Sequence, residues 1–157
     1  MAKFQELNEY INTILIQLIG SQNLCKLLYY PSLTPLSQPT LTDTTDLLFN
    51  QIYPLPKIPS TALTTGNFLT LITDNAELSS NKGFKTIDII FNIICHIDEW
   101  RLNGGIRPLL IANEIDKLFN NQRIVGIGRM DFERMTFVYY NEKFSGYKII
   151  YTATDFN

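Results

Sequence analysis

Few residues in this chain could do chemistry. His96 is the only histidine in 157 residues, so any Ser-His-Asp or Cys-His centre has to use it. Cys95 directly precedes it, and neighbours on an extended strand point to opposite faces, which argues against a nucleophile pair. The carboxylates that could serve a metal-dependent nuclease are Asp88, Asp98, Glu99 and Glu114. That chemistry needs two or more oxygen ligands converging on a divalent cation. Asp88, His96 and Asp98 share one face of an extended strand, but Asp88 and Asp98 lie about 33 Å apart along it at roughly 3.3 Å per residue. They share a metal only if the strand bends sharply, and a solvated strand end explains His96 and Asp98 equally well. Cys25 and Cys95 with a single histidine make too small a set for a structural zinc site. Both cysteines sit among apolar residues and read as free buried thiols. Gly126-Ile127-Gly128 is too short for a phosphate loop, and its glycines fit a strand twist or a close strand approach. No catalytic residue, cofactor or metal is assigned. The expectation is a protein that is not an enzyme, with the nuclease as rival.

The elements that would position these residues are clearer. From Gly83 to Trp100 the sequence alternates with period two and reads as one long strand. Ile87, Ile89, Phe91, Ile93, Cys95 and Ile97 point one way; Thr86, Asp88, Ile90, Asn92, Ile94 and His96 point the other. A Gly104-Gly105 turn follows, then a helix over RPLLIANEIDKLF with Pro108 in its first turn. Leu110, Ile111, Ile115, Leu118 and Phe119 form its apolar face, with Glu114 and Lys117 facing solvent.

Before the long strand, Phe4, Leu7, Ile11, Ile14, Leu15, Leu18 and Ile19 make a helical stripe that stops at Gly20. Ser21 caps a shorter helix that carries Leu24, Leu27 and Leu28 and halts before Pro31. Residues 31–42 hold three prolines and read as an extended connection. Asp43 starts a short helix through Asn50, and the YPLPKIPS stretch at 53–60 is a rigid extended segment. It serves either as a loop strapped over the domain or as an arm reaching a neighbouring subunit. Residues 67–73 form a strand and 74–82 a mobile polar loop. Strands at 123–132, 134–140 and 146–154 close the chain, with Tyr147, Ile149, Tyr151 and Ala153 sharing a face. The order predicts a single α+β domain over 1–157. Its core is a mixed, mainly antiparallel sheet flanked by helices, with the proline-rich segment at 31–60 set apart.

A formal charge of -2 provides no long-range attraction for nucleic acid. The late aromatics Phe132, Phe137, Tyr139, Tyr140, Phe144, Tyr147 and Tyr151 could stack bases. Core packing plus a subunit interface accounts for them more simply. No segment reaches membrane-spanning length and the start lacks a secretory pattern, so an unsecreted chain with no membrane partner is expected.

The long strand ending in HIDEW, the turn RLNGGIRP, the helix IANEIDKLFN, then GIGRMDF and FSGYKIIYTATDF together resemble proteins of tailed-phage structural modules. The NLCKLLYYP and YPLPKIP stretches carry the same likeness. The pattern is similar to a tail terminator or another component of the neck at the head-tail junction. That resemblance implies a terminator-like α+β fold and a structural virion protein without catalytic residues. The subunit would form a hexameric ring that caps the tail tube and joins it to the head. A head-completion, stopper or collar protein is the alternative. Implied partners are further copies of the chain, the tail tube protein, a head-completion or connector protein and, as a further candidate, the tail sheath. DNA would pass through the ring without sequence-specific binding. The chain would be assembled in the host cytoplasm and reside in the virion neck. Candidate contact residues are Trp100, Arg101, Arg107, Tyr139, Tyr140 and Tyr147.

Overall fold

The computed structural model describes residues 4–78, 84–124 and 128–154. Its elements are helices α1 (Phe4–Ile19) and α2 (Gln22–Tyr29), strands β1 (Ile52–Tyr53), β2 (Asn67–Leu78), β3 (Phe84–His96), β4 (Arg101–Leu102) and β5 (Gly105–Ile106), helix α3 (Arg107–Phe119), then β6 (Gln122–Ile124), β7 (Gly128–Tyr139) and β8 (Phe144–Thr154). Six strands form one sheet in the order β1-β2-β3-β8-β7-β6, while β4 and β5 make a separate hairpin. β1 runs parallel to β2 and the other pairings are antiparallel, so the expected mixed α+β architecture is the one observed.

The helices form where the sequence places them. Ser21 Oγ accepts the Leu24 N–H at 3.3 Å, opening α2 with the cap its position predicts. In α3, Ile111, Ile115 and Phe119 are fully buried, and Pro108 occupies the first turn, where a missing N–H does no harm. Glu114 departs from expectation. It is only 8% exposed and takes the Lys117 ammonium at 3.1 Å, so its carboxylate is half of a local pair rather than a free solvent group.

One face of β3 carries Ile87, Ile89, Phe91, Ile93 and Cys95 into the core beneath the helices. Phe91 stacks on Phe119 at 5.3 Å between ring centroids and meets Tyr151 of β8 edge-on at 6.0 Å. β3 and β8 approach so closely at Gly146 that a Cβ there would lie 1.8 Å from the Ile93 carbonyl oxygen. Only glycine fits that position. On the opposite face, Tyr53, Phe68, Phe144 and His96 form a chain of ring contacts. Asn141 Nδ2 donates to the Pro59 carbonyl at 2.8 Å, so the 53–60 segment lies strapped against that end of the sheet.

Several boundaries differ from the sequence reading, each for a local reason. The strand expected to reach Trp100 stops at His96. The His96 Nδ1 accepts the Asp98 N–H at 3.1 Å and closes a 3-10 turn over Ile97–Glu99. That turn breaks the alternation, leaving Ile97 exposed and Glu99 buried. The loop expected at 74–82 is strand as far as Leu78, with a register shift between Asp74 and Glu77 where Asn75 takes a positive φ. Its remainder, 79–82, lies outside the described residues. The helix expected over 43–50 is a 3-10 turn at Thr44–Leu47, capped by Asp43, and Leu48 then bridges to Ile52. The two strands expected at 123–132 and 134–140 are a short β6 and a long β7, with a register shift between Phe132 and Arg134 in place of a break. Of the glycines near 126, only Gly128 is described; it starts β7 at φ 89°.

Candidate interaction surface

The residues proposed for chemistry do not converge. Asp88 accepts hydrogen bonds from Asn75 and from Thr152 on the face of the sheet away from the helices. Asp98 is mostly solvated, with its carboxylate 3.7 Å from the His96 ring. Glu99 turns inward and accepts the Gly66 N–H at 2.5 Å. Among the described residues no group of three His, Cys, Asp or Glu side chains could hold a metal ion. Both cysteines are free and buried; burial pushes the Cys25 thiol up to about 11 and the Cys95 thiol higher still.

The contact candidates separate into four kinds of position. Arg107 is not on the surface. Its side chain is fully buried, and its guanidinium donates to three backbone carbonyls: Glu99 at 2.9 Å, Leu27 at 2.6 Å and Ser32 at 3.0 Å. The first residue of α3 thereby ties together the 3-10 turn after β3, the end of α2 and the loop after it. Desolvation lowers the Arg107 pKa, and the three carbonyls compensate the buried cation. Tyr140 lies near the other face, its hydroxyl 3.4 Å from Asn92 Oδ1, and burial pushes its pKa up. Arg101 stands exposed on the β4–β5 hairpin opposite Ile106.

Trp100, Tyr139 and Tyr147 come together, with Phe137 as the link between them. The Phe137 ring lies 6.1 Å from Trp100, 5.8 Å from Tyr147 and 4.7 Å from Tyr139. Met135 and Phe132 continue the same face of β7, in register with Ile149 and Tyr151 of β8. These β7 residues are not covered: Met135 is 41% exposed, Phe137 43% and Tyr139 79%. Leu109, also exposed, borders the strip, and a groove of about 320 Å³ runs between α3 and β7.

The strip stays open because of the dimensions of the helix layer. A helix is about 10 Å wide with its side chains and spans roughly two strands at about 4.8 Å spacing. α3 lies over β3 and β8, where Phe119 meets Phe91 and Asp116 accepts the Tyr151 hydroxyl at 2.7 Å. β7 is one strand further out. Among the described residues its outer edge is also unpaired from Asp131 to Tyr139, since β6 pairs only with Gly128–Met130. Sequence reasoning named the aromatics but not the strip. Phe132, Met135 and Phe137 have the composition of a core strand, and only the limit of α3 exposes them.

No curated protein and no solved structure matches the chain. The family described as YomW matches residues 21–153, which takes in α2, α3, the sheet up to Ala153 and the exposed strip. With most of its length matched in this way, the chain belongs to the YomW family.

Proposed function

We propose that this protein works by mating with other proteins as a structural assembly subunit. The observation that carries the reading is the run of exposed β7 residues Phe132, Met135, Phe137 and Tyr139, flanked by half-buried Trp100 and Tyr147, beside an unpaired sheet edge. Large apolar surface of this kind, rich in aromatic residues, marks protein contact sites. The more specific form of the proposal rests on the resemblance of residues 83–154 to phage neck proteins. In that form the chain is a tail terminator whose ring caps the tail tube and meets a head-side protein, with DNA passing through the opening.

The test is imaging of assembled particles and of tail tubes grown with the purified protein. The expected outcome is density for this chain at the head-proximal end of the tube, and tubes that stop lengthening once it has bound. Tubes that ignore the protein, or a lone monomer that turns over a substrate while absent from particles, would end this reading.

A further inference from the structure

We infer that the free protein pairs with a second copy of itself, β7 against β7, antiparallel and centred on Phe137. This pairing does not depend on the neck assignment, because it concerns what covers the strip before any other partner is met.

The outer edge of β7 is the vulnerable element of the sheet. From Asp131 to Tyr139 it faces no partner strand among the described residues, and Asn120 Oδ1 takes the Phe132 N–H at 3.0 Å. Proteins protect such edges with proline, lysine, bulges or a covering element. Residues 131–139 contain neither proline nor lysine. The one irregularity lies between Phe132 and Arg134, and from Arg134 to Tyr139 the strand pairs regularly with β8. What remains, beyond Asp131, Glu133 and Arg134, is an edge from Met135 to Tyr139 without charged side chains, which is a template for another strand.

The order of residues selects the occupant. In an antiparallel pairing about Phe137, Phe137 meets its own counterpart, Met135 meets Tyr139 and Thr136 meets Val138. Arg134 meets Tyr140 at the margin. Met135, Phe137 and Tyr139 therefore each meet an apolar residue on the same face, and no like charges are opposed. A slip of one residue sets the strip of one copy against the opposite face of the other. A slip of two toward Met135 sets Phe137 opposite Met135 but Tyr139 opposite Glu133, and a slip of two toward Tyr139 sets Phe137 opposite Tyr139 but Met135 opposite Asn141, beyond the strand end. The register about Phe137 is the one that gives Met135, Phe137 and Tyr139 apolar partners together. The joint is isologous, so it closes at two copies, and a formal charge of -2 per chain opposes it only weakly.

Sedimentation equilibrium of the full chain, combined with cysteine cross-linking, tests this. The wild type is expected to sediment as a dimer at micromolar concentration. Phe137→Cys should give an intermolecular disulfide on mild oxidation, because the two copies of position 137 face each other and Cys25 and Cys95 are enclosed. Thr136→Cys alone should not cross-link, whereas Thr136→Cys mixed with Val138→Cys should. Phe137→Glu should weaken the dimer by roughly tenfold or more by opposing two carboxylates. A monomeric wild type overturns the inference. So does any larger assembly in which Phe137→Cys fails to cross-link, since that contact must use another surface. If Phe137→Glu fails to fold, the wild-type mass and the cysteine pairs still decide. Tube capping is scored separately: capping without a dimer sinks only the edge pairing, and a dimer without capping sinks only the neck reading.

Discussion

Phe91 and Phe137 lie on the same side of the same sheet, two strands apart, and their surroundings are opposite. Phe91 is enclosed between Phe119 and Tyr151, while Phe137 is 43% exposed among Trp100, Tyr139 and Tyr147. Both are phenylalanines on long strands, so residue type does not separate them. Their distance from α3 does. Around Phe91, helix and strand close-pack, and the Arg107 guanidinium joins three backbone segments at one end of the layer. Around Phe137 the rings touch each other and leave Phe137 and Tyr139 partly open to solvent. The interior holds the molecule together, and the margin is left for a partner.

If that division is right, substitutions in the closed region should cost stability and those on the strip should not. The largest effect is expected at Gly146, where a Cβ would sit 1.8 Å from the Ile93 carbonyl oxygen. Gly146→Ala should cost about 4 kcal/mol or prevent folding, read from the urea midpoint. A small loss there would mean that β3 and β8 can separate without harm. Arg107→Met should follow at about 3 kcal/mol, because three buried carbonyls lose their donor together. Near-neutral behaviour in the same urea titration would remove Arg107 as the tie between α2, the turn after β3 and α3.

The pH dependence sharpens the contrast further. Burial raises Cys25 to about 11; burial, with the neighbouring Glu6 carboxylate, raises Tyr10 to about 12. Tyr151 is pushed up by burial and by its bond to Asp116. In the unfolded chain these groups ionise near their ordinary values, while in the folded chain they stay neutral. Their contribution is therefore complete below about pH 8.5 and is lost as pH rises toward 12, at about 1.4 kcal/mol per pH unit for each ionising group. Unfolding midpoints measured from pH 8 to 11 should fall with increasing slope, and Tyr151→Phe should flatten it. A midpoint that does not change over this range contradicts the closed interior. The smallest effect belongs to the strip: Tyr139→Ser should alter stability by no more than about 0.5 kcal/mol. A larger loss in urea would show that Tyr139 belongs to the core.

Much of the fold was legible because it depends on local periodicity. The Ser21 cap, the stripe of Ile111, Ile115 and Phe119, and the inward face from Ile87 to Cys95 each follow from spacing within a few residues. The end of β3 was not legible, because a hydrogen bond from the Asp98 N–H to the His96 ring overrides an alternation that continues in the sequence. Arg107 was misread as a surface contact because its acceptors at Leu27 and Ser32 lie 80 and 75 residues away. Nothing near Arg107 in the sequence marks it as internal.

The amino-acid order by itself determined which segments become helix or strand and which side of each is apolar. Those preferences arise from backbone geometry and side-chain spacing over short distances. Only the tertiary structure decided which apolar faces are covered. Coverage depends on where α3 ends relative to β7 and on how far β6 runs along it, and these are relations between segments distant in the chain. For that reason aromatics of one composition became core at Phe91 and an open strip at Phe137.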